Sequence, residues 1–217
     1  MSMIKALRTL AAIENGTMNA AQLETQVAGS QARKDEISQL MSVKSLHERI
    51  ASSRTAMDAL AGSATAWGEI MAHRYLSLFL AECVESVNAK MAIYNSDTAL
   101  NAIKLSAAAM AAMRAASRYS VTIPIAAAGV SGVPMTGVGG AANIILGVSH
   151  ASGTAYNYTL STLRSGSAIS ATVATAASSN ALGKDYDIAV PLTSTYSFTS
   201  DSGNVTQSYF GVLRCDI

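Results

Sequence analysis

Few residues of this sequence have types and spacings that could support chemistry. The three histidines, His47, His73 and His150, are isolated from one another. A histidine among apolar neighbours is more often a packing residue than a metal ligand or a catalytic base. Asp185 and Asp187 stand two residues apart on one side of a predicted strand and could contribute to a cation site, but no third carboxylate lies nearby. The sequence therefore predicts no catalytic residue, no metal site and no cofactor.

The other chemical signal is a group of tyrosines in the last third of the chain. Tyr156, Tyr158 and Tyr196 fall in runs whose alternation is typical of strands. An exposed tyrosine combines a flat apolar ring with a hydroxyl, which suits stacking on a glycan and hydrogen bonding to it. The alternative is that about half of the tyrosines line a β-sheet core. We therefore predict these three residues as candidate glycan contacts and keep the core alternative open.

Charged residues are scarce along the whole chain. They make up 13% of the residues, whereas half are apolar, and the formal net charge is +1. So small a net charge gives no attraction for nucleic acid or for an anionic membrane. A monomer with so few charges has difficulty covering its surface. The composition therefore favours burial against copies of itself or against other proteins.

A run without any charged residue lies between Arg118 and Arg164. Within it, the stretch VTIPIAAAGVSGVPMTGVGGAANIILGV is long enough to cross a bilayer. Its prolines and glycines argue against a spanning helix, because every backbone N–H and C=O group within a bilayer must be hydrogen-bonded and these residues interrupt a helix. We therefore predict no membrane span and expect a strand region that is buried between subunits.

The elements that position these residues change in type near Tyr119. Twelve of the fifteen Lys and Arg residues and ten of the fourteen Asp and Glu residues precede it, whereas eleven of the fifteen glycines and all three prolines follow it. Glycine and proline mark turns and are unfavourable inside helices. Residues 1–118 are therefore predicted to form a helical docking and oligomerisation region, and residues 119–217 a β-rich head domain. About six or seven strand-like runs favour an antiparallel β-sandwich of jelly-roll type.

A phrase of the type Ser-x-Thr-Ala-apolar recurs in the helical part. It begins at Ser53 and Ser63 and, in looser form, at Ser96 and Ser106, ten residues apart within each group. Apolar residues in and around the phrases step by three and four, which is the spacing of a coiled-coil seam. We predict a near-continuous helix over Ser53–Trp67 and an oligomer interface along the seam. The predicted interface residues are Met57, Leu60, Trp67, Ile70, Met71, Leu100, Ile103, Met110 and Met113.

A second interpretation assigns the serines to helix N-caps. Each serine would then begin a short helix, Gly62 or Gly68 would interrupt the run, and the region would form a compact helical bundle. Thr17 and Ser30 are likewise predicted to cap the helices that follow them. Under both interpretations the repeated phrase is a packing device.

The opening block IKALRTLAAIENGTMNAAQLET, followed by serial phrases of the Ser-x-Thr-Ala-Met type, resembles structural proteins of tailed bacteriophages of virion, fibre or tail type. The resemblance covers the predicted helical part, residues 3–118. Here the phrases are few, and the segment His73–Glu85 interrupts them. This departure favours a short appendage, a collar or a decoration protein over a long fibre shaft.

Together these observations predict an α+β chain in which a coiled-coil-like helical region precedes an antiparallel β-sandwich. The resemblance implies a non-enzymatic virion structural protein of collar, whisker, decoration or short-fibre type. We expect a homo-oligomer, with a trimer favoured, that is assembled in the host cytoplasm and contacts other virion proteins. The alternative is a receptor-binding adhesin or tail fibre protein whose β domain binds a host surface glycan.

Overall fold

A computed structural model describes the backbone of residues 3–116 and of seven later strands, together with the side chains of residues 3–113. The chain divides into two compact units, Met1–Ala116 and Ser117–Ile217. Among the described residues no helix is both long enough and apolar enough to cross a membrane.

Ten helices make up the described part of the first unit, and each is only eight to twelve residues long. They are α1 (Met3–Glu14), α2 (Ala20–Ala28), α3 (Gln31–Ser42), α4 (Ser45–Ser52), α5 (Arg54–Gly62), α6 (Ala64–Met71), α7 (Leu76–Glu85), α8 (Val87–Tyr94), α9 (Asp97–Leu105) and α10 (Ala107–Ala116). Isolated helices of this length are marginal in water. Their stability must therefore come from packing against one another.

The predicted coiled-coil-like region and the predicted near-continuous helix over Ser53–Trp67 are wrong. Ser63 has φ −96° and ψ 114°, an extended conformation that ends α5 and begins α6. Its hydroxyl accepts a hydrogen bond from the backbone N–H of Ala66, as an N-cap does. The second interpretation, in which serines cap short helices, describes the structure.

From α2 onward each helix packs on the third helix after it, which describes a spiral with three helices in each turn, whereas α1 packs on α3 and α5. Helix α2 packs on α5, α3 on α6, α4 on α7, α5 on α8, α6 on α9 and α7 on α10. Helices that follow each other in sequence also touch, as α5 and α6 do. Helical repeat proteins are built in this way, with each unit burying its apolar face against its neighbours. The core therefore runs along the inside of the spiral.

One rule describes the core positions contributed by the serine phrases. Residues three, four and seven positions after a capping serine share one face of the following helix. They are Ala56, Met57 and Leu60 after Ser53; Ala66, Trp67 and Ile70 after Ser63; Ala99, Leu100 and Ile103 after Ser96; and Ala109, Met110 and Met113 after Ser106. All twelve are at most 3% exposed. The apolar steps of three and four thus mark the inner faces of separate helices.

The second unit contains seven strands among its described residues. They are β1 (Tyr119–Ile123), β2 (Asn143–His150), β3 (Tyr156–Arg164), β4 (Ser167–Thr175), β5 (Val190–Leu192), β6 (Tyr196–Ser200) and β7 (Ser208–Arg214). They pair as two antiparallel sheets with the strand orders β1-β7-β2-β5 and β4-β3-β6.

The predicted fold class, α+β with a coiled-coil-like first part, is wrong for the part of the chain whose side chains are described. Residues 3–113 consist of short helices and turns and contain no strand. A β-sandwich is defined by side chains that interdigitate between two sheets. Those side chains lie outside the described residues, and so does the predicted jelly-roll packing.

Candidate functional site

The residues predicted as an oligomer interface lie inside a single chain. Eight of the nine are at most 3% exposed, and Met71 is half-buried. The eight are Met57, Leu60, Trp67, Ile70, Leu100, Ile103, Met110 and Met113. They pack against other helices of the same chain. The structure thus places these eight residues in the core of the chain, and Met71 at its edge.

The predicted glycan contacts lie on neighbouring strands. Tyr156 and Tyr158 belong to β3, and Tyr196 belongs to β6, which pairs with β3. The side chains of all three lie outside the described residues, and so do Asp185 and Asp187. Glycan binding therefore stays a prediction of the sequence.

Two capping serines, Ser86 and Ser96, also connect successive turns of the spiral. The hydroxyl of each accepts a hydrogen bond from the backbone N–H three residues later, at the start of its own helix. The hydroxyl of Ser86 donates to the carbonyl oxygen of Ala51 at 2.6 Å, and that of Ser96 to the carbonyl oxygen of Ala61 at 2.5 Å. An ionised aspartate is also a good N-cap but has no proton to donate. These positions therefore need a hydroxyl for a reason beyond capping.

At Ser63 the partner of the capping hydroxyl is a carboxylate instead of a carbonyl. The hydroxyl of Ser63 donates to Glu24 of α2 at 2.6 Å. Thr65 donates to the same carboxylate from its backbone N–H at 2.8 Å and from its hydroxyl at 2.6 Å. The hydrogen bonds from Ser63, and then those from Thr65, lower the pKa of Glu24 because they favour its charged form. The N-terminus of α6 is thus fixed to α2 by an anion, which the helix dipole also favours.

A cleft of about 500 Å³ opens between α1 and α3, and we call it the basic cleft. It is lined by Lys5, Arg8, Thr9, Ala12, Met18, Ala32, Arg33 and Glu36. Glu36 is only 3% exposed, and one of its oxygens accepts hydrogen bonds from Thr9 Oγ1 at 2.7 Å and from Arg33 Nη1 at 2.8 Å. A buried carboxylate without such partners would be strongly destabilising. The inner part of the cleft is therefore a paired and fixed charge network.

The other two cations of the basic cleft are placed differently. Lys5 and Arg8 are exposed on α1. Among the described residues neither side chain takes part in an ion pair or in a side-chain hydrogen bond. The cleft thus holds three cationic side chains against one carboxylate, and that carboxylate is already paired with Arg33. Its open side carries a positive charge that is available to a ligand.

A second cleft, of about 280 Å³, has the opposite charge, and we call it the acidic cleft. Three glutamates from α4 and α7 line it, together with residues at the end of α4 and at the start of α8. The lining residues are Glu48, Ala51, Ser52, Glu82, Glu85, Ser86, Val87 and Asn88. Within the described part of the chain, no group of three or more His, Cys, Asp or Glu residues is arranged to hold a metal ion.

The described histidines and the described cysteine are packing residues. His47 is buried, and its Nε2 lies 2.9 Å from the carbonyl oxygen of Met41. His73 is half-buried, and burial, followed by the nearby charge of Arg74, lowers its pKa. Cys83 is buried, which raises the pKa of its thiol and keeps it in the unreactive protonated form. None of these three side chains is therefore an exposed nucleophile or an exposed general base.

Sequence reasoning missed the basic cleft because two of its partners, Thr9 and Glu36, lie 27 positions apart. The one local signal is the spacing of Lys5 and Arg8, which puts both cations on one face of a helix. No protein-family model matches the sequence, and a search of curated proteins finds no match either.

Proposed function

We propose that the protein is a non-enzymatic structural protein of a tailed-bacteriophage particle, of collar, whisker, decoration or short-fibre type, which is assembled in the host cytoplasm and contacts other virion proteins. The observation that carries the proposal is the array of short helices, because the phrases on which the resemblance rests supply the caps and inner faces of four of them, α5, α6, α9 and α10. Spirals of this type present extended surfaces that bind other proteins. The phrases supply hydroxyl caps and apolar faces, not reactive groups.

The outer side of α1 is the part of the spiral that best suits docking. Met3, Ile4 and Leu7 are 36%, 63% and 39% exposed and lie within one turn of each other. Ile4 and Leu7 belong to the opening block that carries the resemblance, and Met3 directly precedes it. Adjoining exposed apolar side chains are typical of protein contact surfaces. This surface supports a docking role for the helical unit.

The homo-oligomer in this proposal, with a trimer favoured, rests on the low charge content and on the α1 surface. It does not rest on the predicted seam residues, because eight of the nine are buried within one chain. Sedimentation of the purified protein at micromolar concentration should give the mass of an oligomer. A stable monomer under those conditions would contradict this part of the proposal.

The location of the protein on purified particles tests the function. We expect mass spectrometry to find the protein in the particles, and gold-labelled antibody against residues 1–116 to mark the head, neck or collar in electron micrographs. Label confined to the tail tip, with loss of host adsorption when the protein is removed, would favour the glycan-binding adhesin. Absence of the protein from purified particles would contradict both functions.

A further inference from the structure

We infer that the basic cleft between α1 and α3 binds an acidic peptide segment of a neighbouring protein and that Lys5 and Arg8 hold its carboxylates. The inference rests on the proposed function for the statement that the partner belongs to the same particle. The binding chemistry itself rests on the charges, the space and the contacts of the cleft.

The first step concerns the groups that the fold has already used. Arg33 Nη1 donates to Glu36 at 2.8 Å and to the hydroxyl of Thr9 at 3.2 Å, while that hydroxyl donates to Glu36 at 2.7 Å. The three side chains form a closed triangle around a carboxylate that is almost fully buried. They shape the inner wall of the cleft, and they leave Lys5 and Arg8 as its unused cations.

The second step concerns those two cations. Lys5 and Arg8 are separated by three positions on α1, so their side chains emerge on the same side of the helix. Two like charges at this spacing repel each other, and no acidic side chain of the described residues pairs with either. An anion in the cleft would relieve this repulsion. The guanidinium group of Arg8 can donate two parallel hydrogen bonds to a carboxylate, and the Lys5 ammonium can donate a third.

The third step concerns the shape of the ligand. Ala12 and Ala32 are small, and Met18 adds a flexible apolar side chain, so the wall beside the cations has room for aliphatic groups. A space of about 500 Å³ holds a few side chains. Beside Arg8 on the outer side of α1 lies Ile4, which is 63% exposed and can contact an apolar residue of the same peptide. A segment with mixed acidic and apolar residues therefore fits the cleft.

Charge distribution distinguishes this ligand from a nucleic acid. Binding to a nucleic-acid strand requires a row of cations that follows the phosphate backbone. Here two free cations stand at one cleft, and the formal net charge of the whole chain is only +1. Carboxylates at a fixed place in a protein partner match this arrangement better than a long polyanion does.

Fluorescence anisotropy of the purified full-length protein tests the inference. The probe is a labelled short peptide that alternates glutamate and leucine, and the matched probe has glutamine in place of each glutamate. The test variant is Lys5→Gln/Arg8→Gln, which leaves the triangle around Glu36 intact. The matched variant, Lys44→Gln/Lys104→Gln, removes the same charge from exposed lysines elsewhere.

We expect the glutamate peptide to bind the natural protein and the test variant to weaken that binding about tenfold or more, because charge-assisted hydrogen bonds are lost. The matched variant should stay within about twofold, since remote exposed charges are screened. Binding should also weaken between about 50 mM and about 500 mM salt. Unchanged thermal unfolding of both variants will show that the fold is retained.

Equal binding of the glutamate and glutamine peptides, or equal losses in the two variants, would overturn the inference. Displacement of the peptide by an equal concentration of inorganic phosphate would reassign the cleft to free oxyanions. Tighter binding of a labelled single-stranded oligonucleotide, dependent on Lys5 and Arg8, would replace the peptide with nucleic acid. Failure of the particle experiment described above would remove the proposed function but leave the peptide-binding result standing.

Discussion

The opening segment, residues 3–52, and the repeat segment, residues 53–113, are both built from short helices but are held together in different ways. In the opening segment, individual polar contacts join helices: Arg33 and Thr9 surround Glu36, and Arg49 makes two hydrogen bonds to Glu14 at 2.6 and 2.8 Å. In the repeat segment one rule recurs, in which a serine caps a helix and the residues three, four and seven positions later are buried.

This difference indicates that the repeat segment stabilises the fold and that the opening segment carries the binding surfaces. A rule that recurs at several positions serves packing, because each copy does the same work in its own turn of the spiral. The contacts of the opening segment occur once each, and both the basic cleft and the exposed apolar side chains of α1 belong to it. We therefore expect substitutions in the repeat segment to change stability and substitutions around the cleft to change binding.

The largest effect is expected from a charge placed in the core of the repeat segment. Leu60→Asp puts a carboxylate at a position that is 1% exposed, and we expect the free energy of unfolding to fall by about 4 kcal/mol. Leu105→Asp makes the same substitution at a position that is 87% exposed, and should change it by less than about 0.5 kcal/mol. Urea unfolding followed by circular dichroism measures both. Equal losses would mean that the rule does not identify the core.

Two glycines of the repeat segment should respond to alanine in opposite directions. A Cβ atom on Gly62 would lie 2.7 Å from the Cβ of Ala20, too close unless α2 and α5 move apart. Gly62→Ala should therefore cost about 2 kcal/mol. Gly68 lies inside α6 with open space around it, and Gly68→Ala should stabilise by about 0.5–1 kcal/mol. Melting temperatures that move in the same direction would exclude this close contact between the opening and repeat segments.

The double role of the serines predicts unequal costs within the repeat segment. Ser96 caps α9 and donates to the carbonyl oxygen of Ala61, whereas Ser106 caps α10 and, among the described residues, donates to no carbonyl. Ser106→Ala should cost about 1 kcal/mol for the lost cap. Ser96→Ala should cost about 2 kcal/mol, because it also leaves a carbonyl without its partner. Equal costs in chemical unfolding would contradict the link between turns.

The sequence is sufficient to predict the helices of the first unit and several of their caps. The prediction of a coiled-coil seam is wrong because the same apolar spacing also fits several short helices. Steps of three and four occur in every amphipathic helix, so they did not distinguish one long seam from several short inner faces. The sequence predicts Thr17 as the cap of the helix that follows it, but this prediction is wrong: Asn19 caps α2 in a reciprocal pair with Gln22. The Thr17 hydroxyl instead donates a hydrogen bond to Asn15. The spacing of Asn19 and Gln22 is a capping-box signal that could have corrected this prediction.

The candidate site was less predictable than the helices because its contacts join distant parts of the chain. Glu36 meets Thr9 across 27 positions, and Glu24 meets Thr65 across 41. No local propensity encodes such pairs, since they depend on how the spiral places one helix beside another. Once the packing of the helices is known, Arg33 is seen to pair with Glu36. Lys5 and Arg8 are then the cations of the cleft that have no ion-pair partner among the described residues.

The smallest expected effect is a pH dependence at the junction of the opening and repeat segments, where Glu24 of α2 accepts hydrogen bonds from Ser63 and Thr65. These bonds lower the pKa of Glu24 in the folded protein below the usual carboxyl value of 4.5. Their stabilisation is therefore fully present above that value and is lost as the pH falls through the folded pKa. We expect the loss to be about 1 kcal/mol. In Glu24→Gln this part of the pH dependence should disappear, whereas Ser96→Ala should keep it, because the partner of Ser96 is a carbonyl that does not titrate. Urea unfolding across the acidic range measures all three proteins, and an unchanged slope in Glu24→Gln would show that the carboxylate does not fasten the repeat segment to the opening segment.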